Sequence, residues 1–260
     1  MTTTTQAAVS TSPAARPLTG KVALVTGGSR SIGAAIAKRL ASEGAAVALT
    51  YSASPAQAAA VVQAIEQAGG TALAIRADAA DAAAVRAAVD RTVQTFGRLD
   101  ILVNNAGVLI MKPLDEFSTE DFDRAIDVNV KGLFVATQAA QRHMGAGGRI
   151  INIGSINSER VPFAGGALYV MTKAAVAGLT KALARDLGPR GITINNVMPG
   201  PTDTDMNPAS GAFADTARAH TALQRYATVD EVADLVAYVA SPGAGYITGA
   251  GLVVDGGYGI

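Results

Sequence analysis

The sequence predicts an α/β fold: a single domain built on a doubly wound, seven-stranded parallel sheet with helices on both faces. Three observations predict it. Short β-type apolar runs alternate with longer runs of helical spacing from Lys21 to the C-terminus, the order in which strand–helix–strand units build a parallel sheet. The strand runs are mostly apolar, as expected of strands covered on both faces. No Pro/Gly/Ser-rich linker interrupts the series. Right-handed connections between parallel strands then make the doubly wound topology the natural one.

The elements follow in order. "KVALVTG" (21–27) is a buried strand ending in a glycine turn, and "AAIAKRLASEG" (34–44) is a helix stopped by Gly44. "AAVALTY" (45–51) is the second strand, followed by the helix "PAQAAAVVQAIEQAGG" (55–70) with its own glycine stop. "ALAIRAD" (72–78), a helix through Phe96 and "DILVNNAG" (100–107) continue the alternation. One long helical region from about Thr119 to Met144 leads to the strand "GRIINIGS" (148–155). A helix over 167–187, the strand "ITINNVMPG" (192–200), an irregular segment, a helix from Val229 to Ala240 and the strand "GLVVDGG" (251–257) complete the chain. Residues 1–17 are Thr/Ala/Ser-rich without hydrophobic periodicity and read as a disordered tail before a domain spanning 18–260.

Composition narrows the function. Hydrophobic residues make up 49% and charged residues 16% of the 260, so the chain buries a full core of small aliphatic side chains. The formal net charge is zero and no basic run exists, which disfavours a nucleic-acid partner. There is no cysteine, which removes disulfides, Cys-ligated zinc and thiol catalysis and is compatible with a reducing cytoplasm. His143 and His220, far apart in the chain, give no metal site. No G-x-S-x-G elbow speaks for a serine hydrolase. The N-terminus lacks a secretory pattern, and no apolar run reaches the ~18 residues of a membrane span.

The turn after the first strand is the first chemical signal. "LVTGGSRSIGAAIAKRL" places Gly27, Gly28 and Gly33 between a strand and a helix. There a diphosphate can approach backbone N–H groups at a helix N-terminus. Ser29, Arg30, Ser31 and Ile32 fill the turn; Ser31 either adds a phosphate hydrogen bond or helps cap the helix. The second strand ends in Tyr51, Ser52 and Ser54, with no carboxylate to hold a ribose 2′-hydroxyl. That leaves room for a 2′-phosphate, and Arg30 supplies a cation for it. NADPH is therefore the favoured cofactor and NADH the alternative.

The turn resembles T-G-x-x-x-G-x-G, the signature of the short-chain dehydrogenase/reductase family, with Ser31 where the middle glycine stands. The resemblance covers nearly the whole chain beyond the tail and is closest to 3-oxoacyl-thioester reductases and NADPH-dependent ketoreductases. It implies a Rossmann-type sheet and assigns further residues. "NNAG", with Asn105, Ala106 and Gly107, resembles the motif that closes the floor of the cofactor site. Asp78 and Ala79 match the segment that holds the adenine, although Asp78 is equally suited to capping the next helix. "PGPTDTDM", with Pro199, Gly200, Thr202 and Thr204, resembles the segment that holds the nicotinamide amide. Asn129 in "VNVKG", Ser155 in "NIGS", and Tyr169 and Lys173 in "YVMTK" match the family's catalytic residues.

Tyr169 and Lys173, four residues apart, share one helix face. A free phenol has a pKa near ~10. The nearby ammonium is expected to lower it, making Tyr169 a general acid for ketone reduction and a general base in reverse. Ser155 would polarise the substrate carbonyl. By resemblance, Lys173 also binds the nicotinamide ribose, and Asn129 holds a water that conducts protons. Ser155 lies 14 residues before Tyr169, one more than the usual family spacing, and Ser158 is the alternative serine.

Val108, Leu109, Asn157, Phe163 and Met206 are expected to line a mostly apolar substrate pocket under a lid at 206–225. A ketone with a hydrophobic arm fits that lining better than a polyol. The resemblance implies a cytoplasmic homotetramer acting on a small-molecule ketone or alcohol. An NAD-dependent dehydrogenase of a secondary alcohol or sugar is the alternative reading, and a non-catalytic nucleotide sensor of the same fold is a more distant one.

Overall fold

The chain alternates as its periodicity requires: β1 (Val22–Val25), α1 (Ser31–Ser42), β2 (Ala46–Tyr51), α2 (Pro55–Gln67), β3 (Thr71–Arg76), α3 (Ala82–Phe96) and β4 (Ile101–Asn104). Then come α4 (Thr119–Ile126), α5 (Gly132–Ala140), β5 (Arg149–Ile153), α6 (Ala167–Leu187), β6 (Thr193–Pro199), α7 (Ala214–Ala219), α8 (Val229–Ala240) and β7 (Gly251–Val254). This computed structural model describes residues 16–211 and 213–260. Of the expected tail, residues 1–15 lie outside the described residues, while Leu18 is already buried.

Seven strands form one parallel sheet in the order β3-β2-β1-β4-β5-β6-β7. Successive strand residues face opposite sides, so each strand feeds two cores. Val25, Leu49, Ile151 and Val197 join Ile36, Leu40 and Val236 from α1 and α8 on one face. Leu24, Leu102, Ile150 and Ile194 join Val89, Val135 and Leu187 from α3, α5 and α6 on the other. This double cover is why the strands read as mostly apolar runs.

Two sequence expectations need correction. The helical region expected over 119–144 is continuous from Thr119 to Ala140 but not uniform: a π-helical turn at Asp127–Lys131 separates α4 from α5. Gly132 follows that turn because the chain passes Ala79 there, and a Cβ at 132 would lie 2.2 Å from the Ala79 carbonyl oxygen. The wider turn carries Asn129 inward, where it is buried; π-turns of this kind collect at functional sites. The segment after β6 is also not wholly irregular, since α7 forms within it.

Candidate active site

The sheet's winding direction reverses between β1 and β4, and a doubly wound sheet opens a crevice beyond the carboxyl ends of its strands at such a point. The glycine turn and the NNAG loop meet there. Asn105 N and Ala106 N both donate to Thr26 Oγ1, at 3.0 and 3.1 Å. Asn105 Nδ2 donates to the carbonyls of Thr26 and Gly27, each at 3.0 Å. Gly27 N donates to Thr50 Oγ1 at 3.0 Å. Gly27 has φ +64, and a Cβ there would lie 2.9 Å from Ala106 Cα. Gly33 is fixed by close approach: its Cβ would stand 2.3 Å from the Gly27 carbonyl oxygen. Thr26 opens the T-G-x-x-x-G-x-G stretch without a role assigned to its hydroxyl, and no motif marks Thr50.

The N-terminus of α1 fits a diphosphate. Its N-cap residue is Arg30, and no side chain caps it, so its first-turn N–H groups are free for an anion. Ser31 therefore does not act as the cap. It holds φ +47, the left-handed region that glycine occupies without penalty, and its Oγ accepts from Asp205 N at 3.3 Å. Arg30 Nη1 lies 3.7 Å from Asp205 Oδ2, both side chains more than half exposed. The cation reserved for a 2′-phosphate is thus shared with the loop after β6.

Where the adenine is expected, Tyr51 closes β2, Ser52 is exposed and Ser54 precedes α2. Asp78 is not a helix cap. Asp81 caps α3 by accepting from Ala83 N and Ala84 N, whereas Asp78 Oδ1 accepts from Ala80 N at 2.9 Å and faces Arg124 at 3.4 Å. In the loop after β6, Thr202 Oγ1 donates to the Gly200 carbonyl at 3.0 Å, and Thr204 Oγ1 accepts from Asn207 N at 3.1 Å. Pro199 ends β6, and Gly200 presses against Asp255, where a Cβ would lie 2.7 Å from its Cα.

Ser155 stands just beyond β5, and α6 carries Tyr169 and Lys173 one turn apart. Lys173 is buried; its Nζ donates to the Ile153 carbonyl at 2.8 Å and lies 5.6 Å from the centroid of the Tyr169 ring. The Tyr169 side chain is half-buried by area, but its phenolic end is enclosed. The expected fall in the phenol pKa is not found. Burial pushes Tyr169 up, offset only in part by the nearby Ser155 hydroxyl, and burial holds Lys173 down at about 8. Desolvation disfavours both charged forms more than the two groups stabilise each other.

Asn129 is fully engaged as a donor. Its Nδ2 donates to the Val108 carbonyl and to Thr172 Oγ1, each at 3.0 Å, and its Oδ1 accepts from Val108 N at 2.8 Å. Thr172, another residue missed in the sequence, lies inside YVMTK. Beneath the site, Asn104 and Asn152 are register partners on adjacent strands. Asn104 Nδ2 donates to Asn152 Oδ1 at 2.9 Å and to Thr137 Oγ1 at 3.0 Å, and Asn152 Nδ2 donates to Thr180 Oγ1 at 2.9 Å. This buried polar layer fixes α5 and α6 to the sheet.

Ser158 is turned elsewhere: its Oγ donates to the Ser155 carbonyl at 2.9 Å. Val108, Leu109, Asn157 and Phe163 are half-buried. Their two loops are tied together where Lys112 N donates to the Gly165 carbonyl at 3.1 Å. Phe163 covers Gly166, at which a Cβ would meet the ring at 2.4 Å. Met206 is 47% exposed and stands on the far loop, next to Asp205.

Known proteins resemble this chain over nearly all of its length. The model of a protein family described as enoyl-(acyl carrier protein) reductase matches residues 26–259. The chain is 57% identical to a short-chain dehydrogenase from Burkholderia cenocepacia J2315 solved in complex with NADP, with a TM-score of 0.93 over 94% of this chain and 100% of that one. It is 44% identical to the cyclic-di-GMP-binding biofilm dispersal mediator protein of Escherichia coli over 93% of this chain and 98% of the relative. It is 43% identical to a 3-oxoacyl-(acyl-carrier-protein) reductase of Staphylococcus aureus over 91% of this chain and 97% of the relative.

Proposed function

The chain belongs to the short-chain dehydrogenase/reductase family of oxidoreductases, and on that premise we propose that it is an NADPH-dependent reductase of ketones or 3-oxoacyl substrates. The observation that carries this reading is the grouping of Ser155, Tyr169 and Lys173 beside the crevice, with Lys173 Nζ 5.6 Å from the centroid of the Tyr169 ring. A phenol beside a cation can give its proton to a substrate oxygen and leave a stabilised phenolate.

The uncapped α1 N-terminus and Ser29 would hold the diphosphate and Arg30 the 2′-phosphate; Tyr51, Ser52, Ser54, Asp78 and Ala79 would surround the adenosine. Asn105 to Gly107, Thr202 and Thr204 would frame the nicotinamide half. The relative solved with NADP supports the choice of NADPH. Bound NADPH would supply the hydride that reduces the carbonyl carbon. Ser155 Oγ hydrogen-bonds the substrate oxygen, and Tyr169 Oη gives its proton to that oxygen as the C=O π pair moves onto it. The Lys173 ammonium, 5.6 Å from the ring, stabilises the phenolate left behind. Asn129 braces Val108 at the pocket wall and has one Oδ1 lone pair left for a water that returns the proton. Apolar Val108, Leu109, Phe163 and Met206 favour a substrate with a hydrophobic arm, covered by a lid at 206–225.

Two uncovered faces support self-association, and we place the protein in the cytoplasm by analogy with its 3-oxoacyl reductase relatives. Ile126, Val130, Phe134 and Leu179 line a groove between the α4–α5 region and α6, and β7 leaves its outer edge free beside exposed Val253. The stretch Ala167–Arg190 is by length and apolarity alone compatible with a membrane span, but it packs on β6 and carries the buried Lys173. Two separate faces, each meeting its own copy across a two-fold axis, would build a tetramer of dihedral symmetry.

The test is a panel of aliphatic, aryl and 3-oxoacyl ketones with NADPH consumption followed optically. Turnover should appear with apolar ketones and vanish in Tyr169→Phe. Preference for NADH and a secondary alcohol or sugar would favour the dehydrogenase alternative. The E. coli relative's name supports one other reading, a nucleotide-responsive binding protein; cyclic di-GMP binding with no NADPH consumption on any ketone would establish it.

A further inference from the structure

A guanidinium is buried without a counterion at the end of the sheet opposite the crevice. Arg149 opens β5 and is 8% exposed. Its Nη1 donates to the Gly148 carbonyl at 3.2 Å. Its Nε is enclosed with no acceptor, and its Nη2 lies beside Gly245, where a Cβ would come within 3.5 Å. Gly245 has an ordinary φ of −61, so the backbone does not require glycine there; the missing side chain leaves an approach to Nη2. Thr193, the register partner of Arg149, has its Oγ1 enclosed and unpartnered.

The unfilled Nε–Nη2 edge is the one that grips carboxylates. The same edge of Arg98 holds Asp100, at 2.8 and 2.7 Å. A buried charge of this kind is costly unless paired, and no charged neighbour offsets the lowering of the Arg149 pKa by burial. The chain cannot supply the partner. No described acidic group pairs with Arg149, and residues 1–15 and 212 contain no Asp or Glu.

We propose that Arg149 and Thr193 form an anion site for a carboxylate that comes from outside this chain. The carboxylate enters past Gly245 onto Nη2, the turn at Pro242–Gly245 yields so that Nε completes the fork, and the Thr193 hydroxyl donates to the second oxygen. Its source is either a free small carboxylate or an acidic group of a second copy, for which the fully exposed Tyr246 and the free edge of β7 leave room. The site is remote from Tyr169 and independent of the activity proposed for it.

The test uses the full chain, its thermal unfolding followed against sodium acetate at ionic strength held constant with sodium fluoride. The parent should be stabilised saturably. Arg149→Met should lose the response and be at least as stable as the parent without acetate, because an unpaired buried charge is gone. Thr193→Val should raise the half-saturating acetate concentration by about tenfold. If a second copy is the source, acetate has no effect; the parent's unfolding temperature instead rises with protein concentration, and Arg149→Met loses that rise. Should Arg149→Met fail to fold, Arg149→Lys, which keeps the charge without the fork, is read in its place. Equal dependence of parent and variant on both acetate and protein concentration overturns the proposal.

Discussion

The Lys173 ammonium lies 5.6 Å from the centroid of the Tyr169 ring, yet its hydrogen bond goes to the carbonyl of Ile153 at 2.8 Å. One lysine thus anchors α6 to the end of β5 and leaves its charge beside the phenol. Because burial holds its pKa at about 8, that charge is lost a little above neutrality.

The first prediction concerns stability. Between about 8 and the ordinary lysine value near ~10.4, the unfolded chain keeps a proton that the folded one has released. Unfolding then takes up a proton, so stability rises with pH across that window; below about 8 both forms are protonated and the penalty is constant. Urea midpoints of the parent should therefore rise from pH 8 to 10 relative to Lys173→Met. Parallel curves would show that Lys173 is charged throughout.

The same group should set the alkaline limb of activity. Tyr169, its pKa raised by burial, stays protonated over this range, so kcat/KM for ketone reduction should fall as Lys173 loses its proton at about 8. Lys173→Arg should move the fall to higher pH if any activity survives. A limb that stays put in that variant assigns it to another group.

The two serines should separate cleanly. Ser155→Ala should lower kcat by about 10²–10³-fold, the cost of one lost oxyanion donor. Ser158→Ala loses a bond to the Ser155 carbonyl and should cost about 1 kcal/mol of stability with most turnover kept. Loss of turnover in Ser158→Ala alone reverses the assignment.

Ser31 occupies a conformation suited to glycine. Ser31→Gly removes a left-handed non-glycine residue, worth roughly 1–2 kcal/mol, and gives up an exposed bond to Asp205 N. Net stabilisation, seen as a higher urea midpoint, is expected; a lower midpoint would mean that the hydroxyl bond outweighs the strain.

Arg30 and Asp205 should tune cofactor choice. Arg30→Ala should weaken NADPH about 10–100-fold, the loss of one charge-assisted contact, and leave NADH nearly unchanged. Asp205→Asn, which frees Arg30 from its 3.7 Å partner, should tighten NADPH severalfold. Isothermal titration with both nucleotides reads this without turnover, and equal loss of both in Arg30→Ala removes the 2′-phosphate role.

Residue spacing alone determined the alternation of strands and helices, the sheet class, the glycine turn and the Tyr169–Lys173 pair, because each is a local periodicity or a motif within one element. What it misjudged depended on contacts between elements. The π-helical turn between α4 and α5 has no signature in the run 127–131, and the glycine that follows it, Gly132, is fixed by its close approach to Ala79. Thr26 and Thr50 became site residues only when distant backbone N–H groups arrived at their hydroxyls, and Thr172 when the Asn129 side chain did. The sign of the Tyr169 shift turned on how much protein encloses the phenol, a quantity set by tertiary packing, and that enclosure outweighed the neighbouring cation that sequence reasoning had credited.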